Sequence, residues 1–320
     1  MSLPPLGAYE LPRAWVTPAL EACRLFNTGL DVLFYDVPAL VNDLKDRGER
    51  VASFATDTSP DRAGLLDLSA LRDPEGSLLV IDPERRPYIR RFRDVGAFLA
   101  SAETEVREAE VVSITGVGSS ALGSAALGWD IAKALGEPVL AIVPGYGVAD
   151  ALLQGLGGWF GFGLQDALGA KAQVQTAVGL VAPGVARLGR RLSQSSPGSE
   201  TLANGAPVFR YGSGSSDVLH DLMQRRPIRC VVGHSKGALS IYNALGSLPA
   251  ERTAALRVVT LGCPVPEDIP GASFHQFLGL FDALGQLNGW GRRPERWVAA
   301  DHSTNVSLPL SMHAQELVAD

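Results

Sequence analysis

The sequence predicts an α/β protein with a mostly parallel sheet flanked by helices, and two observations lead to that prediction. From residue 110 onward, short apolar runs rich in β-branched residues alternate with segments in which apolar residues recur at helical spacing. Such alternation of strands and helices implies parallel strands joined by right-handed crossovers. At residues 228–240 a strand, a sharp glycine-containing turn and a helix follow one another directly.

The chain divides into an N-terminal part and a larger α/β part. Residues 14–54 carry apolar residues at spacings of three and four, which predicts a pair of amphipathic helices, and the polar residues 55–75 predict a loop. We therefore expect a helical N-terminal extension over residues 1–75, acting as a cover or docking surface, and one α/β domain over residues 76–320. Strands are predicted at 77–82, 88–92, 111–115, 139–143, 228–232, 257–263, 274–282 and 296–301, and helices at 121–135, 217–226 and 238–245.

Residues 148–205 are the least typical stretch, and we expect an insertion there. Between residues 148 and 186 only three side chains are charged, and apolar residues crowd the rest. We interpret the segment as a helical apolar lid or substrate channel that contacts a lipid surface, with Trp159, Phe160 and Phe162 facing the substrate. Its glycines favour this lid over the alternative, a helical hairpin buried in the core or in a homodimer interface.

A Gly-x-Ser-x-Gly motif carries the strongest chemical signal. In Gly233-His234-Ser235-Lys236-Gly237, a turn between strand and helix holds the serine at a strained backbone position with its hydroxyl above the sheet edge. Gly233 and Gly237 are needed there because the strand and the helix pass too close for side chains. Ser235 is therefore the candidate nucleophile, and His234 is expected to pack or hydrogen-bond beside it. A plain glycine-rich turn is the alternative.

These residues resemble a known superfamily. Residues 110–320 look like an α/β-hydrolase, and Gly-His-Ser-Lys-Gly is similar to the Gly-His-Ser-x-Gly of lipases and esterases. Many of those enzymes carry a smaller or apolar residue in the place of Lys236. The resemblance implies an α/β-hydrolase fold, in which antiparallel strands commonly open the sheet, and a catalytic serine, acid and histidine in that order along the chain.

Three residues match that order. Ser235, Asp282 and His302 follow one another, each at a predicted strand end. A base fixed at a strand end is held more rigidly than one in a terminal helix, so we prefer His302 over His313. Asp268 is the reserve acid, and a helix N-cap is the alternative role of Asp282.

The turn at residues 116–120 has three interpretations. In an α/β-hydrolase, N–H groups of this loop and of the residue after the nucleophile form the oxyanion hole, which the resemblance assigns to Gly118, Ser119 and Lys236. Alternatively, its Gly-x-Gly-x-x-Ala pattern is a dinucleotide fingerprint and the chain a nicotinamide-dependent oxidoreductase. No acidic residue ends the next strand, as that motif requires, and we expect no cofactor. The third interpretation is tight packing alone.

Composition and charge exclude several functional classes. The 320-residue chain is 46% hydrophobic and 19% charged, which excludes global disorder. Its formal charge of -6, without a long basic run, argues against nucleic acid and against a membrane surface held by charge. The five histidines show no metal-ligand spacing, so we expect no metal site.

The cysteines and the N-terminus indicate a cytoplasmic protein. Cys23, Cys230 and Cys263 are odd in number and far apart, as expected of reduced, packed thiols. The first residues have neither a basic start nor an uninterrupted apolar core, so we expect no secretory signal. No segment reaches the roughly 18 apolar residues that a membrane-spanning helix needs.

Together these features predict a serine hydrolase that cleaves carboxylic esters of apolar acyl substrates through an acyl-enzyme. The substrate is expected to be a small molecule or a lipid ester. Three alternatives stay open: a thioesterase or acyltransferase that uses the same three residues, a nicotinamide-binding oxidoreductase, and a catalytically silent hydrolase fold that binds a partner through the apolar segment.

Overall fold

The computed structural model describes residues 28–53, 64–69, 76–103, 106, 108–116, 119–144, 214–246, 248–289 and 291–320. The predicted insertion at 148–205 lies outside these residues, as does most of the N-terminal extension. Residues 28–34 are helical. The strands after them are β1 (Arg50–Ala52), β2 (Leu65–Asp67), β3 (Leu78–Ile81), β4 (Ile89–Phe92), β5 (Val111–Ile114), β6 (Val139–Ile142), β7 (Cys230–His234), β8 (Arg257–Leu261), β9 (Ser273–Gly279) and β10 (Arg296–Val298). The helices are α1 (Val37–Asp46), α2 (Val95–Leu99), α3 (Ala121–Leu135), α4 (Gly214–Arg225), α5 (Lys236–Leu245), α6 (Ala250–Thr253), α7 (Ala283–Asn288) and α8 (Ala314–Ala319).

Within the described residues, eight strands form one sheet in the order β10-β9-β8-β7-β5-β6-β3-β4. Strand β3 runs antiparallel to both of its neighbours, β6 and β4, and the other neighbouring pairs are parallel. The chain passes from β5 to β6 in one direction, but β7 lies on the opposite side of β5. In open α/β sheets, ligands bind outside the carboxyl ends of the strands where the order reverses in this way. The ends of β5 and β7 are therefore the expected place for a site.

Helices cover both faces of this sheet. Helices α1, α3 and α8 pack on one face, and α2, α4 and α5 pack on the other. Strands β3, β5, β6 and β7 are buried along their whole length because both faces are covered. The predicted α/β class, with helices flanking a mostly parallel sheet, is confirmed.

Two short strands depart from the sequence prediction. Residues 50–52 were expected at the end of a helix and residues 65–67 in a loop, but they form the parallel pair β1 and β2. Helix α1 stops at Asp46 because Gly48 adopts a left-handed conformation (φ 81°), which ends a helix and turns the chain away. Leu68 then donates its N–H to Ala52 and extends the pairing (2.8 Å).

A membrane-spanning helix is not found in the part of the chain that the structure describes. The helices there are either too short or too polar to cross a bilayer.

Candidate active site

Ser235 lies in a tight turn between β7 and α5 and has a positive φ (54°). Its N–H donates to the carbonyl of Leu261 on the neighbouring strand (2.8 Å). A Cβ atom at position 233 would lie 2.6 Å from the backbone nitrogen of Ala238, and one at position 237 would lie 2.1 Å from the carbonyl oxygen of Ile114. Strand and helix therefore approach each other as closely as the sequence motif predicts, and the serine side chain is held above the sheet edge.

The structure brings Ser235, His302 and Asp282 into one hydrogen-bonded line. The distance from Ser235 Oγ to His302 Nε2 is 2.9 Å. On the other side of the ring, His302 Nδ1 lies 2.8 Å from Oδ1 and 2.9 Å from Oδ2 of Asp282. Because an ionised carboxylate only accepts hydrogen bonds, Nδ1 carries the proton and Nε2 is left to accept the serine hydroxyl hydrogen. This is the arrangement that turns a serine into a nucleophile.

Asp282 makes the contacts that both of the roles predicted from the sequence require. Its carboxylate is fully buried, and besides contacting His302 it accepts the N–H of Gly285, which caps helix α7 (2.6 Å). Glycines make room for the pair. A Cβ atom at Gly262, whose φ is 70°, would lie 3.0 Å from Oδ2 of Asp282 and 3.1 Å from Nδ1 of His302. A side chain at position 262 would thus press on the acid and the base together.

Two depressions share His302 as a lining residue. A cavity of about 40 Å³ surrounds Ser235, and Leu30, Phe34, Ser119, Lys236 and Asn288 are among its lining residues. A second, wider groove of about 250 Å³ is lined mainly by the apolar residues Leu33, Phe34, Phe281, Leu284 and Leu308. In the narrow cavity, the carboxamide oxygen of Asn288 is buried and has no hydrogen-bond partner among the residues that the structure describes.

Helical residues 28–34 and Tyr35 line the site, and the sequence interpretation gave this segment no chemical role. The carbonyls of Val32, Leu33 and Phe34 accept hydrogen bonds from the loop that follows His302: Asn305 Nδ2 (2.8 Å), Ser303 Oγ (2.8 Å) and Thr304 N (2.8 Å). Phe34 also packs edge-on against the His302 ring, with ring centroids 5.7 Å apart. The available signal was the polar pair Asp31 and Tyr35, four residues apart in an apolar run, which places both on one helix face.

The turn after β5 is tied to this N-terminal segment. Gly116 donates its N–H to Tyr35 Oη (2.7 Å), and Ser120 donates its N–H to Asp31 Oδ2 (2.9 Å). Ser119, one of the predicted oxyanion donors, lines the cavity, but its N–H points to the carbonyl of Gly116 (3.3 Å). Burial raises the pKa of Asp31 to about 7, and hydrogen bonds from the two serines oppose that rise.

Asp31 also bears on the dinucleotide interpretation. A pyrophosphate would need the N–H groups at the start of α3, and the Asp31 carboxyl already accepts the N–H of Ser120, the N-cap residue of that helix. A Cβ atom at Gly123 would lie 2.2 Å from Asp31 Oδ1, so the carboxyl fills the space beside the first turn. The geometry therefore favours the other interpretations of this turn.

The alternative base His313 and the reserve acid Asp268 have partners other than Ser235 and His302. His313 is exposed at the start of α8, where its Nδ1 lies 3.1 Å from Glu316. The reserve acid Asp268 accepts the hydroxyl of Tyr242 (3.0 Å). Lys236 begins α5 directly after the serine. Gly118 and the predicted substrate contacts Trp159, Phe160 and Phe162 lie outside the described residues. Across the described ranges, histidine, cysteine and carboxylate side chains form no group of three or more that could hold a metal ion.

Comparison of the chain with protein-family models, with curated proteins and with solved structures finds no match. The function is therefore inferred from the geometry of the site.

Proposed function

We propose that this protein is a serine hydrolase of the α/β-hydrolase fold that cleaves carboxylic esters with an apolar acyl group. The observation that carries the proposal is the line Ser235, His302, Asp282, with 2.9 Å and 2.8 Å between successive side chains. The positive φ of Ser235 and the antiparallel strand β3 near one end of the sheet support the same fold. A silent hydrolase fold has no need to keep the acid, base and nucleophile in hydrogen-bond register.

The reaction follows from which atoms carry protons. Ser235 Oγ forms a bond to the ester carbonyl carbon while its proton passes to His302 Nε2. The buried carboxylate of Asp282 then faces an imidazolium and stabilises it. Collapse of the tetrahedral intermediate breaks the carbon–oxygen bond to the alcohol, which leaves with the proton from Nε2. Water, activated by the same histidine, hydrolyses the acyl-enzyme and regenerates the Ser235 hydroxyl.

The N-terminus of helix α5 is the main source of stabilisation for the developing oxyanion. Lys236 is the first residue of that helix, and the partial positive charge of a helix N-terminus is directed at the carbon that Ser235 attacks. Gly116 is not a donor in this scheme because its N–H already binds Tyr35. The second donor expected from the loop after β5 is Gly118, as the sequence interpretation proposed.

The substrate class is inferred from the two depressions. The narrow cavity around Ser235 offers space for the reacting carboxyl group and its nearest atoms. The wider groove beside His302 offers an apolar lining to one chain of the ester, and burial of each methylene there contributes about 0.8 kcal/mol. Acyl chains long enough to fill the groove should therefore be preferred over acetyl.

The histidines supply a matched test of this proposal. We expect His302→Ala to lower kcat for p-nitrophenyl butyrate by about four orders of magnitude, because members of such a triad act as a unit. His313→Ala removes the same side chain at an exposed site and should leave kcat unchanged. Circular dichroism and thermal melting show whether both variants are folded. Near-full activity in folded His302→Ala would exclude the proposed base.

The chain-length preference is tested on the wild-type protein by comparing the hydrolysis of laurate, butyrate and acetate esters.

A further inference from the structure

A chain of three hydrogen bonds lies beside the candidate triad and joins two parts of the site. Gly116 N–H donates to Tyr35 Oη (2.7 Å), Tyr35 Oη lies 2.9 Å from His234 Nδ1, and His234 Nε2 lies 2.9 Å from the backbone carbonyl oxygen of His302. Both Tyr35 and His234 are buried. The chain therefore connects the turn after β5 with the main chain of the candidate base.

The direction of every bond in this chain is fixed by its two ends. A backbone N–H only donates and a carbonyl only accepts. Tyr35 therefore accepts from Gly116 and has its own hydrogen to give to Nδ1 of His234, and His234 must carry its proton on Nε2 to reach His302 O. The order would be broken by a second proton on His234. Burial and the nearby His302 lower the pKa of His234 to about 3, so the ring stays neutral near neutral pH.

Neutrality matters because the two histidine rings are close. Their centroids are 4.9 Å apart. A charged His234 would oppose the imidazolium that forms on His302 in the proposed reaction, whereas a neutral ring in this tautomer does not. At the same time its Nε2–H binds the backbone carbonyl of His302, while Asp282 binds the side chain.

We propose that Tyr35 and His234 are positioning residues for the candidate base, and that they keep His302 Nε2 within hydrogen-bond distance of Ser235. Neither residue needs to touch the reacting atoms. The proposal rests on the proposed hydrolase function. It assigns a role to the N-terminal segment, which reaches the site across 199 positions of sequence between Tyr35 and His234.

The test uses hydrolysis of p-nitrophenyl butyrate and the rate constant for labelling by a fluorophosphonate. Tyr35→Phe removes one oxygen atom and leaves both Gly116 N–H and His234 Nδ1 without their partner. We expect kcat and the labelling rate to fall about 100-fold, because a small misplacement of a catalytic group lowers the rate by about that factor. KM should change less than about twofold. Tyr242→Phe is the matched control, since it removes a hydroxyl bonded to Asp268 instead, and should match the wild type.

Two variants of His234 separate positioning from a general loss of structure. His234→Gln keeps one donor and one acceptor without a titratable ring, so it should retain most of the activity. His234→Leu keeps neither and should fall as far as Tyr35→Phe. If the residues work as one chain, the double variant Tyr35→Phe/His234→Leu is no slower than either single variant. If Tyr35→Phe does not fold, the comparison of Gln with Leu at position 234 decides the question.

The outcomes are distinguishable from failure of the proposed function. A wild type that hydrolyses no ester and takes up no fluorophosphonate overturns the function itself. The positioning role alone is overturned if the wild type is labelled and active and the folded Tyr35→Phe and His234→Leu variants are as active as the wild type. Equal losses in the Gln and Leu variants would also overturn it, because the donor and acceptor would then not matter.

Discussion

At Ser235 the backbone adopts a conformation that non-glycine residues rarely hold, at a cost of about 1–3 kcal/mol. The surrounding packing enforces it. Gly233 lets helix α5 approach β7, Gly237 lets it approach β5, and the N–H of Ser235 is anchored on β8. The strain is therefore balanced by the packing of three central strands, and it keeps the hydroxyl oriented toward His302.

A methyl group at position 237 should break this turn. We expect Gly237→Ala to lower the free energy of unfolding by about 2–3 kcal/mol, because the added Cβ would meet the Ile114 carbonyl at 2.1 Å. Esterase activity should fall with it. Gly246→Ala, at the other end of the same helix, meets its nearest atom at 3.5 Å and should change stability by less than about 1 kcal/mol. Urea unfolding measures both, and equal midpoints would contradict the close-packing explanation.

The elements that hold the site were predictable to different degrees. Central strands such as β5 and β7 were predicted within a few residues, because an apolar β-branched run bounded by glycine is a local signal. His302 was preferred as the base because the last strand ends near it, although β10 is only three residues long and His302 follows it by a short loop. Strands β1 and β2 were missed because residues 50–52 end a segment with helical spacing and residues 65–67 lie in a polar stretch that indicates a loop.

For helical residues 28–34, the local sequence pattern predicts the helix but not its contacts. Their spacing predicts an amphipathic helix, but nothing in it tells which surface the helix meets. In the structure the end of this segment binds residues about 270 positions away, at Ser303 and Thr304. Such pairings depend on how the whole sheet closes, and a single sequence does not encode them at short range.

The buried carboxyl of Asp31 makes the folding stability of the protein depend on pH. Burial raises its pKa from 3.8 to about 7, so between these values the unfolded state ionises while the folded state stays protonated. The unfolded state then binds fewer protons, and stability falls as pH rises through this range, by about 4 kcal/mol in total. Asp130 acts in the same direction and remains in an Asp31 variant.

Replacement of Asp31 by asparagine should remove its share of that loss. The amide oxygen can still accept the N–H of Ser120, but the side chain no longer ionises. We therefore expect Asp31→Asn to gain stability relative to the wild type as the pH is raised from 5 to 8. Urea unfolding at several pH values measures this difference. Parallel curves for the two proteins would show that burial of the Asp31 carboxyl does not set the pH dependence.

At the scale of the whole molecule, the site at the edge of the sheet contains residues from both the N-terminal and the C-terminal parts of the chain. The reversal of strand order at β5 opens a crevice, and Ser235, Asp282 and His302 reach it from the carboxyl ends of β7, β9 and β10. The order of these residues was visible in the sequence because each follows a strand. The N-terminal contribution was not, since it depends on contacts between the first and last described segments.

Covalent labelling shows whether Ser235 is an activated nucleophile. The folded protein is treated with a fluorophosphonate and digested, and the modified peptide is identified by mass spectrometry. We predict one adduct, on Ser235, that disappears in Ser235→Ala and is strongly slowed in His302→Ala. If the folded wild-type protein takes up no label, or if Ser235→Ala takes up as much label as the wild type, Ser235 is not the activated nucleophile.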